Sequence, residues 1–336
     1  MSETTPGAVP YDPPGRWRNP GVAFAPRLAE AGLQLVLAVG NALLAAPAGA
    51  SLRQRIAAGR LSPGSFLAQL RTFAFRLLLQ AAAEQRGLLP DPRASPAAAR
   101  RYWCERAVVL LGAPGGEAIT EPAGGRWAAL LATARGLAAP GGDPGRGLPH
   151  WPAPLWQAAR LDELACGALD DEVLRAACRP LLELLSPPLP GDARPAGALL
   201  GPEELGAVHE VLLERRPRFV GPGPTFALER AAGHQRKTAG AYTTPACLVE
   251  ALLDTALQPL LERARAARTP GRALLALRVL DPACGSGTFL VAAARRIAQA
   301  LADLPAVPDT GAGPERSPLS LVVGGCLYGV DLDPDA

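Results

Sequence analysis

Apolar residues recur every three or four positions through most of the chain before residue 220, the spacing of helices with one buried face. In Ser65–Gln85, Phe66, Leu70, Phe73, Leu77 and Ala81 share such a face. Arg86-Gly87-Leu88-Leu89-Pro90 then ends the helix, with glycine at the stop and proline just beyond. The same period predicts helices over Leu28–Leu44, Arg101–Gly112, Trp127–Leu137, Pro154–Cys166 and Asp171–Leu185. Pro202–Arg216 is a further helix, with Pro202 suited to its first turn, Glu203 and Glu204 at the positive dipole end, and Arg215 and Arg216 at the negative end. No alternating strand pattern stands out before residue 220.

Beyond Gly221–Pro224 the character changes. Thr244–Arg265 is predicted helical with Pro245 at its start, and two short apolar runs, Ala273–Leu280 and Leu327–Asp331, flank a helix from Thr288 to about Leu301. Strand, helix, strand in this order is a βαβ unit of a parallel sheet. The connection over 303–319 is rich in Pro and Gly and enters the second strand late. The expected organisation is a flexible leader over 1–24, a mainly α-helical region with Pro/Gly-rich loops over 25–220, and the start of an α/β domain over 225–336. The fold class is therefore α/β.

Composition changes this picture little. The chain of 336 residues has room for two domains, and its net charge of +3 permits nucleic-acid contact without arguing for it. Only Lys237 among the 34 basic residues is lysine, and Gln235 stands where a PD-(D/E)xK nuclease would need an acid, so no such nuclease is expected here. Six cysteines form no CxxC pair and have no histidine at zinc spacing, so reduced thiols and no metal site are expected. Ala31–Ala50 lacks charges, yet Gln34, Gly40, Asn41 and Pro47 favour a buried helix over a membrane span. Neither a cleavable signal nor a membrane partner is expected. The scattered His150, His209 and His234 are expected in loops or at the surface, and the arginines of 53–60 and 215–218 on solvated faces or helix ends.

The chemistry concentrates in Val279-Leu280-Asp281-Pro282-Ala283-Cys284-Gly285-Ser286-Gly287-Thr288-Phe289-Leu290. An apolar strand ends in an acid, turns through two glycines and opens a helix whose first N–H groups have no intrahelical acceptor. This is the nucleotide-cofactor crevice of a doubly wound sheet. Asp281 sits where a carboxylate meets a cofactor's amino group. Asp331, at the end of the next strand, is placed to hold both ribose hydroxyls. A dinucleotide oxidoreductase would carry glycine where this chain has Leu290, and its ribose acid about 20 residues further on, far short of Asp331. S-adenosylmethionine (AdoMet) is the better match.

Three segments, Lys237–Pro245, Asp281–Leu290 and Leu327–Asp335, resemble the first three motifs of the amino-methyltransferases of restriction-modification systems. The similarity is greatest to the large single-chain enzymes of the type IIG and BREX phage-defence kind. There a "G-S-Y-Y-T-P" loop, a "D-P-A-C-G-S-G-T-F-L" turn and a "G-V-D-I-D-P" strand occur in this order, and the second is matched at every position. More loosely, Leu77–Pro90 and Leu205–Glu210 resemble upstream segments of the same enzymes, with His209 in place of a tyrosine.

The resemblance implies a Rossmann-like AdoMet-dependent methyltransferase domain, represented by its N-terminal part over 225–336, that methylates adenine N6 at specific DNA sites. It further implies that Tyr242, Thr243 and Thr244 line the methionine end of AdoMet; Thr243 stands where the family has a second tyrosine. Asp281, Ala283, Gly285 and Gly287 would form the cofactor crevice, Asp331 would hold the ribose, and Leu332 would pack on the adenine ring. The family's Asn/Asp-Pro-Pro-Tyr/Phe motif, which orients the amino group and stacks the flipped base, is not present. Asp12-Pro13-Pro14-Gly15 lacks the aromatic residue and reads as a turn. The chain is therefore expected to hold no catalytic residue and to be inactive alone. Double-stranded DNA would be met through parts outside these residues, a C-terminal partner chain would complete the fold, and the setting would be cytoplasmic. Methylation of protein or RNA, or a non-catalytic fragment that needs a partner, are the alternatives.

Overall fold

The computed structural model describes residues 24–111, 125–185, 200–230, 244–305 and 317–331. These residues are mostly helical and hold two two-stranded sheets, one antiparallel and one parallel. The α/β class holds at that level.

Helix α1 (Phe24–Ala45) runs through the first core, where Leu28, Leu35, Val36, Val39 and Leu43 are almost wholly buried. Among the described residues it is the one helix long and apolar enough to cross a bilayer, and 61% of its apolar window is covered by the protein itself. The residues that break its apolar run make contacts. A Cβ on Gly40 would come within 2.9 Å of Leu70 and 3.0 Å of Phe226. Asn41 donates to the Phe226 carbonyl and accepts from the Phe226 N–H, both at 2.9 Å, as a neighbouring strand would.

Helix α2 (Ala50–Ala57) follows, and its Arg53 donates to the Leu44 and Ala46 carbonyls at the end of α1. The arginine thus caps a helix. Helix α3 (Pro63–Gln85) starts at Ser62, whose hydroxyl accepts from the Ser65 N–H, and stops at Gly87 with φ of 64°. Helices α4 (Pro96–Leu111), α5 (Gly125–Ala138) and α7 (Asp171–Leu185) form where the pattern predicts them. Pro154–Cys166 does not form one helix. It folds as two 3-10 turns, Pro154–Trp156 and Ala158–Leu161, and a single α turn, α6 (Asp162–Ala165).

The predicted Pro202–Arg216 helix also needs correction. Helix α8 spans Pro202–Leu213, and Arg215 and Arg216 open a hairpin of β1 (Arg215–Val220) and β2 (Thr225–Arg230). Phe219 pairs with Phe226 across it, and Phe66 packs edge-on to Phe226 at 5.1 Å. Phe226 lies in the first core with α1, α3 and α8, so β2 packs with the helical region although the sequence pattern places residues 225–230 at the start of the second.

A second core gathers the remaining elements: α9 (Ala246–Ala256), α10 (Gln258–Arg265), α11 (Pro270–Leu275), β3 (Val279–Asp281), α12 (Thr288–Ala302), α13 (Pro318–Gly325) and β4 (Leu327–Gly329). The single helix predicted over Thr244–Arg265 is split, because Pro259 in the first turn of α10 cannot continue the ladder of α9. The apolar run from Ala273 is the end of α11 before it is β3. β3 and β4 pair in parallel, with Val279 opposite Leu327 and Asp281 opposite Gly329, and α12 crosses between them. The strand–helix–strand unit is present. One face of this sheet carries exposed apolar side chains, with Leu280 63%, Tyr328 49% and Val330 56% exposed.

Candidate functional site

The turn between β3 and α12 is drawn together by backbone bonds from both strands. The Val330 N–H donates to the Asp281 carbonyl and the Cys284 N–H to the Val330 carbonyl, each at 2.9 Å. The Gly287 N–H then donates to the Cys284 carbonyl at 2.8 Å, closing the turn against the start of α12. Gly285 and Gly287 have φ of 50° and 78°, a region that side-chain-bearing residues rarely enter. A Cβ built on either would meet nothing within 4 Å, so both glycines face open space.

The two acids do different work. Oδ1 of Asp281 accepts from the Ala283 N–H at 3.1 Å, so this carboxylate shapes the turn. Oδ2 of Asp331, beyond the end of β4, accepts from the Gly285 N–H at 2.8 Å. That charge-assisted bond sets an exposed carboxylate directly over the glycine turn. Cys284 sits between them. Partial burial, then the charges of Asp331 and Asp281, push its thiol pKa up, so the group stays protonated at neutral pH and is a weak nucleophile.

Helix α8 braces the turn from the other side. A Cβ on Gly206 would lie 3.2 Å from the Ser286 Oγ and 3.3 Å from its Cβ, so α8 approaches the turn closely enough that any larger side chain here must push Ser286 aside. Glu203, about half exposed, pairs with Arg295 of α12 across the same joint. Burial tends to raise the Glu203 carboxyl pKa, but hydrogen bonding and charge from Arg295 prevail and lower it. A cavity of about 290 Å³ lies along this joint, with Thr244, Ser286, Thr288, Val249 and Glu210 in its wall.

Of the positions singled out in the sequence, Asp281, Ala283, Gly285, Gly287 and Asp331 meet at the turn. Thr244 lies on the cavity side, joined to them through Ser286 and Thr288. Tyr242, Thr243 and Leu332 lie outside the described residues, as do His234, Lys237 and residues 12–15. His209 is not at the surface; it is buried in α8, edge-on to Phe75 at 5.9 Å. Sequence reasoning passed over Gly206 and Ser286 as site residues. A glycine inside a well-signalled helix is the sign that would have found the first. Among the described residues no group of three or more His, Cys, Asp or Glu side chains is placed to hold a metal ion.

No family model, curated protein or solved structure matches this chain.

Proposed function

We propose that the chain carries the opening of a Rossmann-like AdoMet-binding domain, from an enzyme that methylates adenine N6 in DNA within a restriction-modification or phage-defence system. The observation that carries the reading is the glycine turn between parallel strand and helix, with the Asp331 carboxylate bound to its Gly285 amide. These residues suit such a cofactor. Gly285 and Gly287 face open space, and α12 starts at this turn with no side-chain cap on its first amides, which have no intrahelical acceptors.

In this reading Asp331 holds the ribose hydroxyls, Gly285 and Gly287 let the backbone approach the ligand, and Thr244 borders the methionine end with Tyr242 and Thr243. Leu332 packs against the adenine. Bound AdoMet supplies an electrophilic methyl group. The chain's own residues bind and orient, and we assign none of them a catalytic role, because the 336 residues hold no Asn/Asp-Pro-Pro-Tyr/Phe. Double-stranded DNA is then met by other parts of the enzyme, in the cytoplasm and without a membrane partner. A second reading, a non-catalytic portion completed by a partner chain, is favoured by the exposed apolar face of Leu280, Tyr328 and Val330, since parallel sheets are normally covered on both faces.

Incubating the protein with methyl-labelled AdoMet and mixed-sequence duplex DNA tests the reading. The protein should retain AdoMet in preference to NAD and transfer no label. Label on the DNA would overturn the assignment of the chain as non-catalytic, and preferential retention of NAD would overturn the cofactor.

A further inference from the structure

The helical corner ahead of β3 concentrates positive charge. Between residues 262 and 278 the chain has five arginines, Arg263, Arg265, Arg268, Arg272 and Arg278, against a single acid, Glu262. All five are exposed. They lie on α10, in the turn after it, on α11 and just before β3, and the two short helices pack together over the buried Leu261, Ala264 and Leu274. Elsewhere arginines are taken up by carboxylates: Arg101 by Glu105, Arg179 by Glu183, and Arg296 by Glu250 and Asp254. At this corner Arg265 pairs with Asp303 at 2.7 Å, and Arg278 donates to the Leu275 and Leu277 carbonyls. Arg263, Arg268 and Arg272 have no ion pair among the described residues.

Helix α12 fixes where the corner lies. It opens at the glycine turn, and Asp303, the partner of Arg265, follows its last residue. Its 15 residues span about 22 Å, so the arginines sit at the far end of the helix from the Asp331 carboxylate. Arg263, Arg268 and Arg272 fall within on the order of 15 Å of one another along the two helices. Like charges so close repel, and a polyanion relieves that repulsion.

The composition of the corner selects among polyanions. Residues 262–278 include no Trp, Tyr, Phe or Met. The corner thus lacks the aromatic anchors of a protein interface and the inserting side chains of a membrane-bound helix. A cationic, polar surface matches the backbone of a nucleic-acid duplex, which carries one negative charge per roughly 1.7 Å of axis. We propose that this corner binds the phosphate backbone of duplex DNA without regard to sequence, through Arg263, Arg268 and Arg272. The inference goes beyond the cofactor reading and does not rest on it, because the charge and its placement are independent of what the glycine turn holds.

Fluorescence anisotropy tests it, with the full chain titrated into two labelled DNA duplexes of unrelated sequence between roughly 50 and 200 mM salt. Both duplexes should bind equally, with a log–log salt slope of about −3 for three phosphate contacts, or about a 40-fold loss over that range. The triple variant Arg263→Gln, Arg268→Gln and Arg272→Gln changes only exposed side chains and should keep its helical circular dichroism. It should lose about tenfold or more in affinity at the lower salt, and its slope should flatten by about 2–3. AdoMet binding by calorimetry should be the same in the variant, so that measurement judges the cofactor reading separately. Three results would each overturn the proposal. One is no binding of either duplex at the lower salt with protein up to roughly 100 µM. Another is a variant that keeps the full affinity and slope. The third is displacement of the duplex by poly-glutamate at equal charge concentration, which would give the corner to an acidic protein. The first and third use the unaltered protein and stand whatever the variant does.

Discussion

Asp281 and Asp331 end adjacent strands, yet one carboxylate is committed to its own turn and the other reaches across to Gly285. Cys284 reports on this difference, because the Asp331 charge raises its thiol pKa more than the Asp281 charge does. Asp331→Asn should lower that pKa and speed alkylation of Cys284 by iodoacetamide near pH 8, read by peptide mass spectrometry. In the unaltered protein Cys284 should react more slowly than the exposed Cys247. An unchanged Cys284 rate in the variant would mean that Asp331 does not hold the turn. In the helical region, Glu84 is buried with Arg106 at 2.5 Å and accepts from the Tyr102 hydroxyl. Glu84→Ala strands a buried guanidinium and should cost about 3–5 kcal/mol in urea denaturation. A loss under about 1 kcal/mol would place that pair in water.

At the scale of elements, α8 is the part that couples the helical region to the glycine turn, and Gly206 is where they touch. The Glu203–Arg295 pair is half-exposed and contributes little by comparison. Gly206→Ala gains helix propensity and crowds Ser286 by only a few tenths of an ångström, so its stability should stay close to that of the unaltered protein. Gly206→Leu should destabilise by about 1–3 kcal/mol and lose AdoMet affinity through displacement of the turn. Calorimetry together with denaturation separates the two effects. Gly329→Ala makes the matching test from β4. Its methyl would come within 2.9 Å of the Cys284 sulfur and 3.0 Å of Leu290, which again predicts a loss of about 1–3 kcal/mol.

Elements were legible where local signals agreed. The long amphipathic helices, the stop at Gly87 and the strand–turn–helix at Asp281 all follow from period, caps and glycine placement. The hairpin was not, because its first strand, Arg215–Val220, is charged, contains Pro217 and alternates only in burial. What anchors the hairpin is Asn41, far away in sequence, which pairs with the Phe226 backbone of β2. The 3-10 turns of 154–161 are likewise held by Arg76 of α3, and the α6 turn after them by Gln69 of α3, which no local window contains.

Over the whole molecule, the helical core and the smaller α/β core meet at Gly206, Ser286 and Glu203–Arg295, with a cavity on either side of that seam. The acids and glycines of the crevice were readable from sequence because their spacing follows one strand, one turn and one helix. The two cavities were not, since each needs α8 laid against the turn. The parallel sheet leaves Leu280, Tyr328 and Val330 open to solvent, and two strands alone are marginal. The protein should therefore bind an apolar-surface dye such as ANS, and Leu280→Ser with Val330→Ser should reduce that signal without altering the helical circular dichroism.

The central claim is that the turn between β3 and α12 holds AdoMet. The most direct measurement is a calorimetric titration of the 336-residue protein with AdoMet, run beside Asp331→Asn. The account predicts saturable binding of one AdoMet per chain, weakened about tenfold or more by the substitution, as expected for loss of a charged acceptor. No binding to a protein whose circular dichroism shows the expected helices, or binding that Asp331→Asn leaves unchanged, would contradict it.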